Sequence, residues 1–230
     1  QRLCDVVNEP LGNLNPVHGV IDAPPLSLAD AARKTGVAQL EAYIIVAQME
    51  GEEKAPGDPH GLSADEIAAI RMYTADSQLY PRVNSLLRDR NRKALLPFFS
   101  YLRLMLTARA KLPRHVGAVW RGVHGVDLRD KYPDGKRVTW WAFSSTTKRL
   151  DTLLNPQFLG QDGVRTVFMI EIVSGVDIIR YSAFADAETE VTPLPVTRRY
   201  SALRPADAEP EVTTLPVASS FLLRSSHHAL

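Results

Sequence analysis

Hydrophobic periodicity changes at Pro113, and that change constrains the fold more than any other feature of the chain. Upstream, apolar residues recur every three or four positions; downstream they gather in short β-branched and aromatic runs. The upstream part is predicted to be three successive helices. Ser63-Ala64-Asp65-Glu66 is a capping-box pattern, in which the Ser63 hydroxyl accepts from the Glu66 N–H and the Glu66 carboxylate reaches back. That helix presents Ile67, Ile70 and Tyr73 and stops near Asp76-Ser77, either of which can cap the next, which carries Leu79, Tyr80, Val83, Leu86 and Leu87. The third, from about Leu95 to Leu112, ends just before Pro113.

Ahead of these helices, Glu9-Pro10, Asn15-Pro16 and Ala23-Pro24-Pro25 interrupt regular structure, leaving one helical candidate from about Ser27 to Glu50 and a loop over 51–61. Beyond Pro113, strands are predicted at Ala118–Trp120, Val138–Trp141, Thr166–Val173, Val176–Ile179, Arg199–Leu203 and Phe221–Leu223. Trp140 and Trp141 alternate across theirs, so one faces the core. A single helix, about Leu150 to Leu159, interrupts the strands, which excludes an alternating βαβ chain. The fold class is therefore α+β: a helical lobe packed on a β-sandwich-like core of mainly antiparallel strands. The domain reading is an irregular extension with one helix over 1–60, the helical lobe over 61–113 and the β-rich core over 114–225, the last two forming one domain.

Charge removes several function classes. Basic residues number 27 and acidic 26, so no net field draws the protein to nucleic acid or an anionic membrane. Locally, Arg82 to Arg114 holds nine basic residues against Asp89 alone, which reads either as a solvated helix face or as attraction for an anionic ligand such as a dinucleotide. No apolar run approaches the roughly 18 residues of a spanning helix. The single Cys4 and the lack of an Asn-x-Ser/Thr acceptor favour a reducing, intracellular compartment, with a secreted effector as the alternative. There is no P-loop, Gly-x-Gly-x-x-Gly, Gly-x-Ser-x-Gly or His-Glu-x-x-His, and the six histidines have no metal-ligand spacing, so no metal is expected.

Three short pieces carry the chemistry. Val119-Trp120-Arg121-Gly122-Val123 ends an apolar run in an arginine, Phe143-Ser144-Ser145-Thr146-Thr147 is a hydroxyl cluster, and Glu188-Thr189-Glu190 sets two carboxylates two residues apart. In that order, with about 24 and then about 45 residues between them, they resemble the mono-ADP-ribosyltransferases of the Arg, Ser-Thr-Ser, Glu-x-Glu class. Ser63 to Thr74 and Leu79 to Asn84 are similar to the helical segment before the catalytic core in the eukaryotic-type arginine-specific branch. The resemblance runs over about Leu62 to Ala202.

The resemblance implies an enzyme that moves ADP-ribose from NAD+ to arginine side chains of protein and releases nicotinamide. It implies NAD as co-substrate and a protein substrate presenting arginine; with the charge balance and the apolar runs above, no nucleic-acid partner, no membrane span and a monomer are expected. Glu190 would bind the nicotinamide-ribose 2′-hydroxyl and stabilise the oxocarbenium-like ribose, while Glu188 would orient the acceptor guanidinium. Positions i and i+2 of an extended segment share a face, so both acids can enter one cleft. Arg121 would clamp the pyrophosphate, the alternative being a surface arginine at a strand end. Gly122 would let the nicotinamide carboxamide reach the main chain. Ser145, aligned with the first hydroxyl of the motif, would orient Glu190, and Thr146 would brace the backbone; Thr147 replaces the usual third serine. Tyr181 to Ala187, including Phe184, would recognise the protein substrate. Phe158 would stack on nicotinamide or serve as a core helix residue. After Glu190, Val191-Thr192-Pro193-Leu194-Pro195 departs from the apolar run common in the family. Two other outcomes share the same residues: an NAD glycohydrolase using water, and a silent NAD-binding or interaction module.

Overall fold

The computed structural model describes residues 9–10, 14–133, 137–155, 159, 163–184, 191–192, 197–199 and 212–217. Two helices occupy the place of the single one expected before Glu50: α1, Leu28–Lys34, and α2, Glu41–Lys54. Gly36 (φ 70°) and Gln39 (φ 59°) lie in the left-handed region, where an α-helix cannot continue. Thr35 seals the break, its hydroxyl donating to the Ala32 carbonyl at 2.6 Å and accepting from the Val37 N–H at 3.2 Å. At its other end α2 runs past Glu50 into the expected loop, where Lys54 pairs with Glu50 one turn back at 3.2 Å.

Gly51 lets α2 approach α3, Ala64–Thr74, because a Cβ there would lie 2.3 Å from the Ala64 carbonyl oxygen. Backbone cannot yield as a flexible side chain would. Gly51→Ala should therefore cost about 1–3 kcal/mol of overpacking, more than the roughly 1 kcal/mol that alanine gains over glycine inside a helix. A lower urea midpoint at unchanged m-value would show it; a raised midpoint would contradict the contact.

The capping box forms as the sequence indicates. The Ser63 hydroxyl accepts from the Glu66 N–H at 3.2 Å, and Glu66 Oε2 accepts from the Ser63 N–H at 2.8 Å and pairs with Lys111 at 2.6 Å. Ser77 supplies the hydroxyl that accepts from the first N–H of α4, Leu79–Arg88. The third predicted helix is divided: residues 92–98 form a 3₁₀ segment containing Pro97, and α5, Phe99–Lys111, follows. Proline has no N–H to donate and disfavours the α conformation at the residue before it. The lobe closes on one core in which Ile67, Tyr73, Leu79, Val83, Leu95 and Tyr101 are almost wholly buried.

Four of the nine basic residues between Arg82 and Arg114 are spent on internal acceptors. Arg88 pairs with Glu9 at 2.7 Å, Arg92 donates to the Asn15 and Leu87 carbonyls, Arg103 donates to the Ala23 carbonyl, and Lys111 holds Glu66. Three of them tie the N-terminal segment onto the helices, so the charge excess is in large part internal bonding.

After Pro113, β1, Arg114–His124, runs antiparallel to a long β3, Arg165–Asp177, with a bulge between His115 and Gly117. β3 is continuous where two strands were expected. Its first half pairs in parallel with β6, Val212–Val217, and its end pairs antiparallel with β4, Val191–Thr192. A second sheet joins β2, Arg137–Thr139, to β5, Thr197–Arg199, so the fold is mixed helix and mainly antiparallel sheet. β6 was not among the expected strands; among the described residues it pairs with β3 alone. The Phe221–Leu223 expectation lies outside the described residues.

One face of the β1–β3 sheet carries Val119, Val123, Phe168 and Ile170 against Tyr132 and Trp140. Trp140 is the inward member of the tryptophan pair, and its indole N–H donates to the Tyr132 hydroxyl at 3.1 Å. Trp141 is partly exposed, with the Arg92 guanidinium 5.4 Å from its ring. On the opposite face Leu153 of α6, Leu150–Leu154, which is shorter than the helix expected to about Leu159, packs with Leu159 against Val167 and Trp120.

Candidate active site

Arg121 is not a strand-end surface residue. It sits within β1, opposite Phe168 of β3, and is 2% exposed. Strand alternation puts it on the face of Val119 and Val123, so its charge is carried into the sheet's packed side. Its guanidinium Nη1 donates to the Ser145 carbonyl at 2.7 Å. Burying a guanidinium is costly unless it is hydrogen-bonded, so this contact fixes both the arginine and the hydroxyl segment.

That segment is registered on β1 by a second link. The Trp120 N–H donates to the Thr147 carbonyl at 2.7 Å, and the Thr147 N–H returns to the Trp120 carbonyl at 2.8 Å. Ser144, Ser145, Thr146 and Thr147 are all buried. Two of the three sequence pieces are therefore joined directly. At Gly122 a Cβ would meet the Leu159 side chain at 2.8 Å, so what approaches this glycine is a leucine.

The third piece lies outside the described residues: Glu188, Glu190 and Phe158 fall there. Its flanks do not. Phe184 is partly buried, and its N–H donates to the Ser182 hydroxyl at 3.2 Å. Immediately after Glu190, Val191 and Thr192 pair with Asp177 and Val176 at the end of β3. Asp177 also holds Lys148, the residue after Thr147, at 2.5 Å. The exit of the acidic segment and the end of the hydroxyl segment are thus tied to one stretch of β3.

Sequence reasoning missed what surrounds Arg121. Burial pushes the Tyr132 hydroxyl up to about 12; the Trp140 hydrogen bond opposes this, and the charges of Glu9, Arg121 and Arg88 all reach it. The Glu9 side chain is only 3% exposed and also accepts from the Trp141 N–H at 2.9 Å. No local pattern marks Glu9, since its partners lie 79 and 132 residues away. Among the described residues no group of three or more His, Cys, Asp or Glu could hold a metal ion. Among the same residues no helix is long and apolar enough to cross a membrane.

A family profile described as NAD:arginine ADP-ribosyltransferase matches residues 31–210, most of the chain. The chain belongs to that family. Mouse GPI-linked NAD(P)(+)–arginine ADP-ribosyltransferase 1 is 33% identical over 147 residues, covering 60% of this chain and 43% of the mouse protein. The rabbit protein of the same name is 33% identical over 163 residues, covering 66% of this chain and 47% of its own length. This ADP-ribosyltransferase-family chain therefore spans less than half the length of the mammalian relatives it matches. Solved structures share its fold. ADP-ribosyltransferase HopU1 of Pseudomonas syringae pv. Tomato superposes with a TM-score of 0.60 at 21% identity, over 85% of this chain and 98% of that one. A mutant of the eucaryotic mono-ADP-ribosyltransferase ART2.2 in complex with NADH gives 0.61 at 17% identity, over 86% of each chain.

Proposed function

We propose that the protein is an arginine-specific mono-ADP-ribosyltransferase, moving ADP-ribose from NAD+ to arginine side chains of protein and releasing nicotinamide. The observation that carries the reading is the buried Arg121 guanidinium locked on the Ser145 carbonyl. It brings the arginine and hydroxyl pieces of the motif into one site, in a chain that belongs to the family. The catalytic unit is the helical lobe with the strands, over 61–225. A buried guanidinium held on the main chain of a hydroxyl-rich segment suits pyrophosphate and ribose oxygens.

Roles follow from the chemistry. Arg121 binds the pyrophosphate through donors not engaged by Ser145. Gly122 offers its main-chain N–H and carbonyl to the carboxamide, Phe158 stacks on the nicotinamide ring, and Ser145 and Thr146 hold Glu190 in place. As the ribose C1′–nitrogen bond breaks, its electron pair leaves with nicotinamide, and positive charge builds on the sugar. The Glu190 carboxylate faces that charge. Glu188 and Phe184 present the acceptor, whose guanidino nitrogen bonds to C1′ and loses a proton. Water in place of the guanidino nitrogen gives hydrolysis.

The direct test incubates labelled NAD with the protein, with and without agmatine. Labelled ADP-ribosyl-agmatine supports the proposal; nicotinamide release with no labelled agmatine makes the protein a glycohydrolase, and no release makes it silent. Arg121→Lys should weaken NAD binding about tenfold or more, roughly 1.4 kcal/mol, because an ammonium cannot bond Ser145 and phosphate oxygens with one planar fork. Unchanged affinity by calorimetry would remove Arg121 from the site.

A further inference from the structure

The chain that leads to Glu188 leaves β3 through a 3₁₀ turn, Ile179–Tyr181, and its first residues are fastened to the helical lobe. Tyr181 is 1% exposed, and its hydroxyl donates to Asp58 Oδ1 at 2.6 Å. The Asp58 side chain is wholly buried, and Oδ2 accepts from the His60 and Leu62 N–H groups, each at 3.0 Å. Burial pushes the Asp58 carboxyl upward, and the hydrogen bonds from Tyr181, Leu62 and His60 more than offset this and hold it below the ordinary range. Two residues beyond Tyr181, the Ala183 N–H donates to Thr74 Oγ1 at 2.8 Å, at the last residue of α3.

These are directed polar contacts where apolar packing would hold the fold as well. A buried carboxylate is expensive, and replacing such groups by apolar ones often leaves stability unchanged. What hydrogen bonds add is a fixed direction. The other end of the segment is registered separately, by β4 on Asp177 and Val176 directly after Glu190. Asp58 and Thr74 belong to neither β1 nor the hydroxyl segment.

We infer that Asp58 and Thr74 are positioning residues for the arginine acceptor, acting through Tyr181 and Ala183 to set where Phe184 meets a guanidino group. The inference rests on the reading above that Phe184 presents the acceptor. The root of the acceptor segment takes its place from the loop before α3 and from the end of α3. Loosening the root should therefore disturb acceptor capture and spare the glycosidic step.

The experiment measures agmatine transfer and nicotinamide release to water for the full chain and for Tyr181→Phe, Thr74→Val, Asp58→Asn and the Tyr181→Phe/Asp58→Asn pair. Each single variant should raise the agmatine KM about 5- to 10-fold, with KM for NAD and the rate of hydrolysis within about twofold of wild type. The pair should fall short of the sum of the singles, because both changes act on the Tyr181–Asp58 contact, Asp58→Asn also removing the charge that faces Arg180 at 3.8 Å. Thr74→Val tests the second tether independently, so a misfolded Tyr181→Phe does not decide the matter. An unchanged agmatine KM, or equal losses of transfer and hydrolysis, would overturn the inference. Absence of agmatine transfer in wild type would instead sink the transferase reading itself, and it shows before any substitution is made.

Discussion

Glu190→Gln should lower nicotinamide release and transfer to agmatine together, by at least about 100-fold. The substitution keeps size and shape and removes the negative charge facing the ribose cation. Losing electrostatic stabilisation of roughly 3 kcal/mol corresponds to that factor in rate. NAD affinity should change little by calorimetry, because the charge it faces develops only as the bond breaks. Stability should also hold, since β4 begins at the next residue and its pairing with Asp177 and Val176 is a main-chain contact. Full activity of this variant would remove Glu190 from the reaction.

Glu188→Gln should divide the two activities. Neutralising it takes away a charge-assisted hydrogen bond to the acceptor guanidinium, a contact worth about 1.5–3 kcal/mol, so agmatine transfer should fall roughly 10- to 100-fold. Hydrolysis should persist near the wild-type rate, because in the proposed mechanism the ribose cation is stabilised by Glu190, which is unchanged. The contrast with Glu190→Gln is the informative measurement. Equal loss of both activities would mean that Glu188 serves the glycosidic step or simply holds its segment in place. Tyr181→Phe offers a graded version of the same division, acting on acceptor KM from a residue whose side chain is buried against Asp58.

Locally encoded features were legible in the amino-acid order. The Ser63–Glu66 capping box, the start and stop of α3, the apolar face of α4 and the alternation of Trp140 with Trp141 all depend on neighbours within a few positions. The order of Arg121, Ser145 and the two glutamates pointed to the family that the profile match shows. The break between α1 and α2 was only half visible: Gly36 signalled it, but Gln39 at φ 59° carries no such signal.

Tertiary structure decided the use of each charge and polar group. Arg121 is compatible with a solvent-facing strand end until the Ser145 carbonyl, 24 residues on, is brought to 2.7 Å and both are buried. Four arginines and lysines of an apparent basic patch became internal ties only when Glu9, Asn15, Ala23 and Glu66 came within reach. Tyr181 and Asp58 meet across 123 residues. A helix cap is a contact between near neighbours, so its energy is written in a short window of sequence. A buried ion pair or tether depends on which distant groups share one desolvated space, and only the folded chain specifies that.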